Sequence, residues 1–173
     1  LNKIVTEYKF PQKIYFNAIL KKIAKIITTN RKNATVLDYG CGAGLLKKFV
    51  KEIDSSINVI GYDIDPNISE IGSPFSRPYD IYVFNHVLMY INKKEILILI
   101  KKIKSMNKKA LIIIGAGKQN YLSKFGSIIL NQNAHDKTIS SLESQIKIIK
   151  TQANIVSREN IYLMTEIISC KLK

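Results

Sequence analysis

Residues 36–46, "VLDYGCGAGLL", constrain this chain more than any other stretch. A short apolar run ends in Asp38, and every second residue after Tyr39 is then glycine: Gly40, Gly42 and Gly44. Glycine permits positive φ and lets a backbone approach a neighbour closely. Apolar residues at helical spacing resume directly afterwards, with Leu45, Leu46, Phe49, Val50 and Ile53. The stretch reads as a buried strand, a tight loop and the start of a helix. In α/β sheets that arrangement places a ligand outside the carboxyl end of the strand.

The remaining chain supports such a sheet. Helical spacing covers residues 13–29 through Ile14, Ala18, Ile19, Ile23, Ile26 and Ile27. Strand-like runs follow at 58–65, 79–87 and 109–117, with a basic amphipathic helix predicted over 92–106. Ser140 and Glu143 have capping-box spacing ahead of a helical face formed by Leu142, Ile146 and Ile149. Residues 154–171 read as two strands around a turn near Glu159–Asn160. Alternating strands and helices predict an α/β, doubly wound, mostly parallel sheet with a C-terminal antiparallel hairpin. The length of 173 residues, without an evident linker or repeat, is expected to form one domain over 1–173. Within it, 1–30 is an N-terminal helix and lid, and 34–173 is the core.

Composition narrows the function classes. The net charge of +14 comes almost wholly from lysine, with Arg31, Arg77 and Arg158 the only arginines. Arginine supplies the bidentate contacts that read phosphates and bases. Scattered lysine pairs therefore read as solvated helix faces rather than a nucleic-acid surface. Two cysteines, Cys41 and Cys170, are too few for a disulfide framework or a zinc site, so no metal is expected. The apolar runs fall far short of the ~20 residues that a membrane span requires. A reducing, cytoplasmic setting is expected.

The loop favours one ligand class. A dinucleotide fingerprint needs G-x-G-x-x-G, but Leu45 stands at the third glycine position. Asp38 would also repel a pyrophosphate, whereas it suits a ligand carrying an ammonium group. S-adenosylmethionine (SAM) is such a ligand, with an adenosine, a cationic amino-acid tail and no phosphate. Asp63 lies roughly twenty residues beyond the last glycine, where an acid accepts ribose hydroxyls. Gly115 and Gly117 imitate a second fingerprint, but Asn120 occupies the third position.

"VLDYGCGAG", "VIGYDIDP" and "YDIYVFNHVLMYI" together resemble the successive motifs of class I (Rossmann-like) SAM-dependent methyltransferases, across roughly residues 10–117. The resemblance implies a seven-stranded sheet, SAM as cofactor and S-adenosylhomocysteine (SAH) as product. It places Asp38, Tyr39 and the backbone of Gly40, Cys41, Gly42 and Gly44 against the methionine part. It assigns Asp63 to the ribose, Ile64 to the adenine, and Asn85, His86 and Val87 to the strand end beside the sulfonium. One departure stands out: residues 66–78 are too few for the family's next helix and third strand, so that strand is expected to be missing or vestigial.

His86 and His135 are the candidate proton acceptors if the methyl acceptor must first be deprotonated. The competing readings are a strand-end histidine and an exposed loop histidine. Asp65 reads as a turn residue before Pro66. Tyr8, Phe10, Tyr15 and Phe16 are lid candidates, with Tyr8 and Phe10 the better placed ahead of the first helix, while Phe16 is expected to pack that helix on the sheet. No Asn-Pro-Pro follows the fourth family strand; Asn85-His86-Val87-Leu88 stands there, which argues against a nucleobase amine. A small-molecule, lipid or glycan acceptor, methylated at oxygen, is the expected partner. An RNA- or ribosome-linked methyltransferase and a non-catalytic SAM-binding scaffold are the alternatives. Oligomeric state is left open.

Overall fold

A computed structural model describes residues 10, 12–118 and 139–173. In chain order the elements are α1 (Gln12–Asn30), β1 (Thr35–Tyr39), α2 (Leu45–Ile53), β2 (Asn58–Tyr62) and β3 (Ile81–Asn85). A 3-10 turn (Leu88–Tyr90), α3 (Lys93–Met106), β4 (Leu111–Gly117), α4 (Leu142–Gln152), β5 (Ala153–Ile161) and β6 (Thr165–Leu172) complete them. The sheet order is β2-β1-β3-β4-β6-β5. The first four strands are parallel, and β6 runs antiparallel to both β4 and β5. The expected α/β sheet with a terminal hairpin is present.

Alternation along the strands divides the core in two. Val36, Ile81, Val83, Leu111 and Ile113 face α1 and α2, where Ile19, Ile23, Ile27, Leu46 and Val50 meet them. Leu37, Tyr82, Phe84, Ile112 and Ile114 face the other side, against Ile96, Ile100 and Ile103 of α3 and Ile149 of α4. A strand buried on both faces reads as a continuous apolar run, and "LIII" in β4 is the clearest case. The face of α1 starts later than its periodicity suggests, because Ile14 is 56% exposed while Ile19 onward is buried. Helix α3 starts on a capping box: the Asn92 side chain accepts from Glu95 N, and Glu95 returns a bond to Asn92 N. Among the described residues, no helix is long and apolar enough to cross a membrane.

Two local expectations need correction. The cap of α4 is Ser141, which accepts from Ser144 N at 3.3 Å. Ser140 is instead buried and donates to Leu88 O at 2.8 Å, so it anchors the chain to the 3-10 turn. The hairpin does not turn at Glu159–Asn160, which pair with Ile167 and Glu166. It turns at Tyr162–Leu163, with φ of 47° and 58°, closed by Met164 N to Ile161 O at 3.1 Å. Positive φ at both central positions normally calls for glycine or asparagine. Tyr-Leu gives no such cue. Asn160 and Glu159 looked more turn-like but lie in the ladder, beside the Arg158–Glu166 ion pair.

Among the described residues the sheet has six strands, not the seven implied by the resemblance, and the strand absent between β2 and β3 is the one expected to be missing. Between β2 and β3 the described chain forms turns and bends only. Glu70 occupies the edge that results. Its N–H donates to Gly61 O at 3.0 Å, and its carboxylate accepts from Gly61 N at 3.2 Å. One residue thus satisfies both backbone groups of Gly61 on the side where a neighbouring strand would pair.

Candidate functional site

The glycine loop joins β1 to α2, with φ of 77°, 50° and 66° at Gly40, Gly42 and Gly44. All three lie in the left-handed region, where a Cβ is strained. Their surroundings differ. A Cβ on Gly40 would come 2.8 Å from Val87 Cγ2, so the loop rests against the chain that leaves β3. A Cβ on Gly42 or Gly44 would meet nothing within 4 Å among the described residues. Among the described residues those positions border open space, and no side chain caps the N-terminus of α2.

The loop is held from β2. Gly40 N and Cys41 N both donate to Tyr62 O, at 2.7 and 3.0 Å. Gly42 N donates to Asp63 Oδ2 at 3.0 Å, and Asp65 N donates to Asp63 Oδ1 at 3.1 Å. Asp63 stands at the end of β2, and its carboxylate ties the cradle to the neighbouring strand. Asp65 is the turn residue expected, accepting from Asn67 N at 2.9 Å.

Asp38 lies at the end of β1 and is 5% exposed. Burial raises its carboxyl to about 7, with the charges of Asp63 and Glu70 adding to the rise. A buried acid next to two others is poised to accept a cation. Cys41 sits among the same carboxylates. Burial, then Asp38, Asp63 and Glu70, push its thiol up to about 12, so it remains a protonated thiol rather than a nucleophile. It also explains a second glycine: a Cβ on Gly61 would lie 2.8 Å from Cys41 Sγ. On the opposite face of the sheet, Tyr39 packs on Tyr62 and Phe84 with ring centroids 5.0 and 5.2 Å apart. Ile64 is 92% exposed at the β2 end, a large apolar surface beside the cradle.

Asn85, His86 and Val87 close the β3 side. Asn85 Oδ1 is buried without a hydrogen-bond partner among the described residues. It occupies the space that a Cβ on Gly115 would take, which explains the glycine in β4 without any dinucleotide role. His86 has a φ of 56°, and its N–H donates to Gly115 O at 2.7 Å. Its Nε2 lies 3.4 Å from Thr165 Oγ1, and its ring meets the edge of Phe16. Thr165 in turn bonds the Tyr15 hydroxyl. Helix α1 and the hairpin therefore both bear on His86.

The fold brings together Asp38, Tyr39, Gly40, Cys41, Gly42, Gly44, Asp63, Asn85, His86 and Val87 around the ends of β1, β2 and β3. His135 and Tyr8 lie outside the described residues, and Phe10 is 81% exposed. Sequence reasoning missed Glu70 and Thr165, and it named Tyr15 only as a lid candidate. Only Glu70 carried a signal, as an acid within the shortened segment. Among the described residues, no group of three His, Cys, Asp or Glu side chains could hold a metal.

Comparison with known proteins agrees with this geometry. The methyltransferase-domain family matches residues 12–116, and the chain belongs to that family. A sequence search of curated proteins finds no match. Several solved structures share the fold. The pyocyanin biosynthetic protein PhzM is 12% identical with a TM-score of 0.73, over 91% of this chain and 55% of its own. Mitomycin 7-O-methyltransferase MmcR is 14% identical with a TM-score of 0.65, over 98% and 60%. Magnesium protoporphyrin IX methyltransferase ChlM from Synechocystis PCC 6803, solved with SAH bound, is 14% identical with a TM-score of 0.60, over 96% and 89%. This chain thus spans little more than half the length of PhzM and MmcR.

SAM is the cofactor of the class, and the residues present fit it. Gly42 and Gly44 leave the cradle open, and Asp38 presents a buried acid for a cationic tail.

Proposed function

We propose that this protein transfers the methyl group of SAM to a hydroxyl oxygen of a small-molecule acceptor. The observation that carries the proposal is the buried Asp38 beneath a glycine loop whose Gly42 and Gly44 face open space. Asp38 and the loop backbone would hold the methionine part, Asp63 the ribose and Ile64 the adenine. When bound, SAM supplies a methyl already activated by its sulfonium. The protein's own task is then alignment and exclusion of water. His86, steadied by Thr165 and Phe16 beside the β3 end, is the described residue placed to take a proton from a hydroxyl.

Two features support oxygen as the target. The β3 end reads Asn85-His86-Val87-Leu88, without the Asn-Pro-Pro sequence suited to nucleobase amines. MmcR, of the same fold, is named for methylation at oxygen. The test is incubation with methyl-labelled SAM and a panel of phenols, aliphatic alcohols, glycans and RNA, with products identified by mass spectrometry. Methyl ethers are expected. Label found only in RNA, or SAM bound but never consumed, would reject the proposal.

A further inference from the structure

A second recess opens next to His86, on the far side from the glycine loop. Gly115, Ala116 and Gly117 at the end of β4 form one wall. Across from it, the lining among the described residues includes Met89 of the 3-10 turn and Ser140 and Gln145 at the start of α4. Its volume is about 20 Å³, room for one small polar group.

Gln145 is the unusual part of this lining. Its side chain is buried, with 1% of the residue exposed. Its Nε2 donates to Ser140 O at 2.9 Å and approaches Ser140 Oγ at 3.3 Å. Ser140 Oγ itself donates to Leu88 O at 2.8 Å. A backbone carbonyl can only accept, so the nitrogen of the amide must face Ser140. The other end is therefore an oxygen. That Oε1 is buried without a hydrogen-bond partner among the described residues. An unsatisfied buried acceptor is costly, and a donor from outside the chain would remove the cost.

We propose that Gln145 determines which acceptors are methylated, by accepting a hydrogen bond from a hydroxyl or amino group of the substrate. This rests on the methyl-transfer reading above. His86 lines the recess and also stands at the β3 end, so a molecule bridging the two would present one group to the cofactor and a second to Gln145. The amide is held by Ser140 and cannot turn its nitrogen inward without losing both bonds. Ethers and carboxylates, which offer no proton, are disfavoured there. A site built to receive a donor rejects analogues lacking it more strongly than a purely apolar pocket does.

The test observes the Gln145 side-chain amide by ¹H–¹⁵N NMR on the full chain, with and without SAH. The signal is assigned by its absence in Gln145→Met, or in Gln145→Glu if the first variant does not fold. Phenol and cyclohexanol are titrated against their methyl ethers, anisole and methoxycyclohexane. The alcohols are expected to shift the amide saturably, with the ethers at least tenfold weaker. Equal responses, or an amide that no probe moves, would mark Gln145 as an ordinary core residue and overturn the proposal. A donor-selective shift in a protein that fails to bind SAH would leave this site standing and reject the methyl-transfer reading instead. SAH binding without a donor-selective shift would do the reverse.

Discussion

Glu70 binds Gly61 twice, through its backbone N–H and through its carboxylate, and so closes the edge of β2 where the family's third strand is missing. The other carboxylate oxygen of Glu70 meets Lys47 Nζ at 2.6 Å, which ties the same edge to α2. Removing the side chain leaves Gly61 N–H, in a buried residue, without its acceptor. Glu70→Ala is expected to destabilise the protein by about 1–3 kcal/mol. Urea denaturation is the check; an unchanged midpoint would show that the edge does not depend on this residue.

Gly40 and Gly42 share a left-handed backbone but differ in their surroundings. Gly42→Ala should cost about 1–2 kcal/mol for conformation alone. Gly40→Ala should cost more, since its Cβ would stand 2.8 Å from Val87 Cγ2. Adding Val87→Ala to Gly40→Ala should cancel part of that excess and leave the backbone cost. A double-mutant cycle measures it, and strict additivity would refute the contact.

Asp38 gives a pH dependence with a definite sign. Its carboxyl titrates at about 7 in the folded protein against 3.8 as the ordinary value. The folded state therefore holds more protons than the unfolded state between those limits. Stability falls as pH rises from about 4 to about 7 and is level beyond. Asp38→Asn should remove that slope. Binding of a cationic ligand needs the ionised acid, so SAM affinity should rise by up to about tenfold per pH unit below 7 and then level off. Thermal melts and calorimetry across pH 5–8 test both. A slope retained in Asp38→Asn would assign it to another group.

The hairpin turn contains avoidable strain. Leu163 has a φ of 58° and is 57% exposed. Leu163→Gly should stabilise the protein by about 1 kcal/mol, by relieving the left-handed conformation. A lower melting temperature would mean that the leucine contributes contacts outweighing that strain.

What was legible in the sequence was whatever local chemistry dictates. The alternating glycines, the acid at the end of β1 and the apolar runs of β1 and β4 each carry a single physical meaning, and they placed the cradle. The shortened 66–78 segment likewise showed that a strand was missing. It could not show that Glu70 would take over part of its hydrogen bonding, because that depends on how the chain returns to Gly61. Tyr162–Leu163 turn without a turn residue, since pairing across β5 and β6 overrides local preference. Ser140 looked like a cap because its spacing to Glu143 was right, but the bond to Leu88 buries it and passes the cap to Ser141. Gln145 and Thr165 are distant in sequence from the motifs they join, and only the fold places both near His86.

The proposed function requires that the loop at Gly40–Gly44, with Asp38 and Asp63, be a working SAM site despite the missing strand. The most direct measurement is a calorimetric titration of the protein with SAM and with SAH, repeated on Asp63→Ala. Micromolar binding of both ligands, lost in the variant, is expected. No binding to the wild-type protein would contradict it: the cradle would then be a relic of the fold, and the protein a scaffold rather than an enzyme.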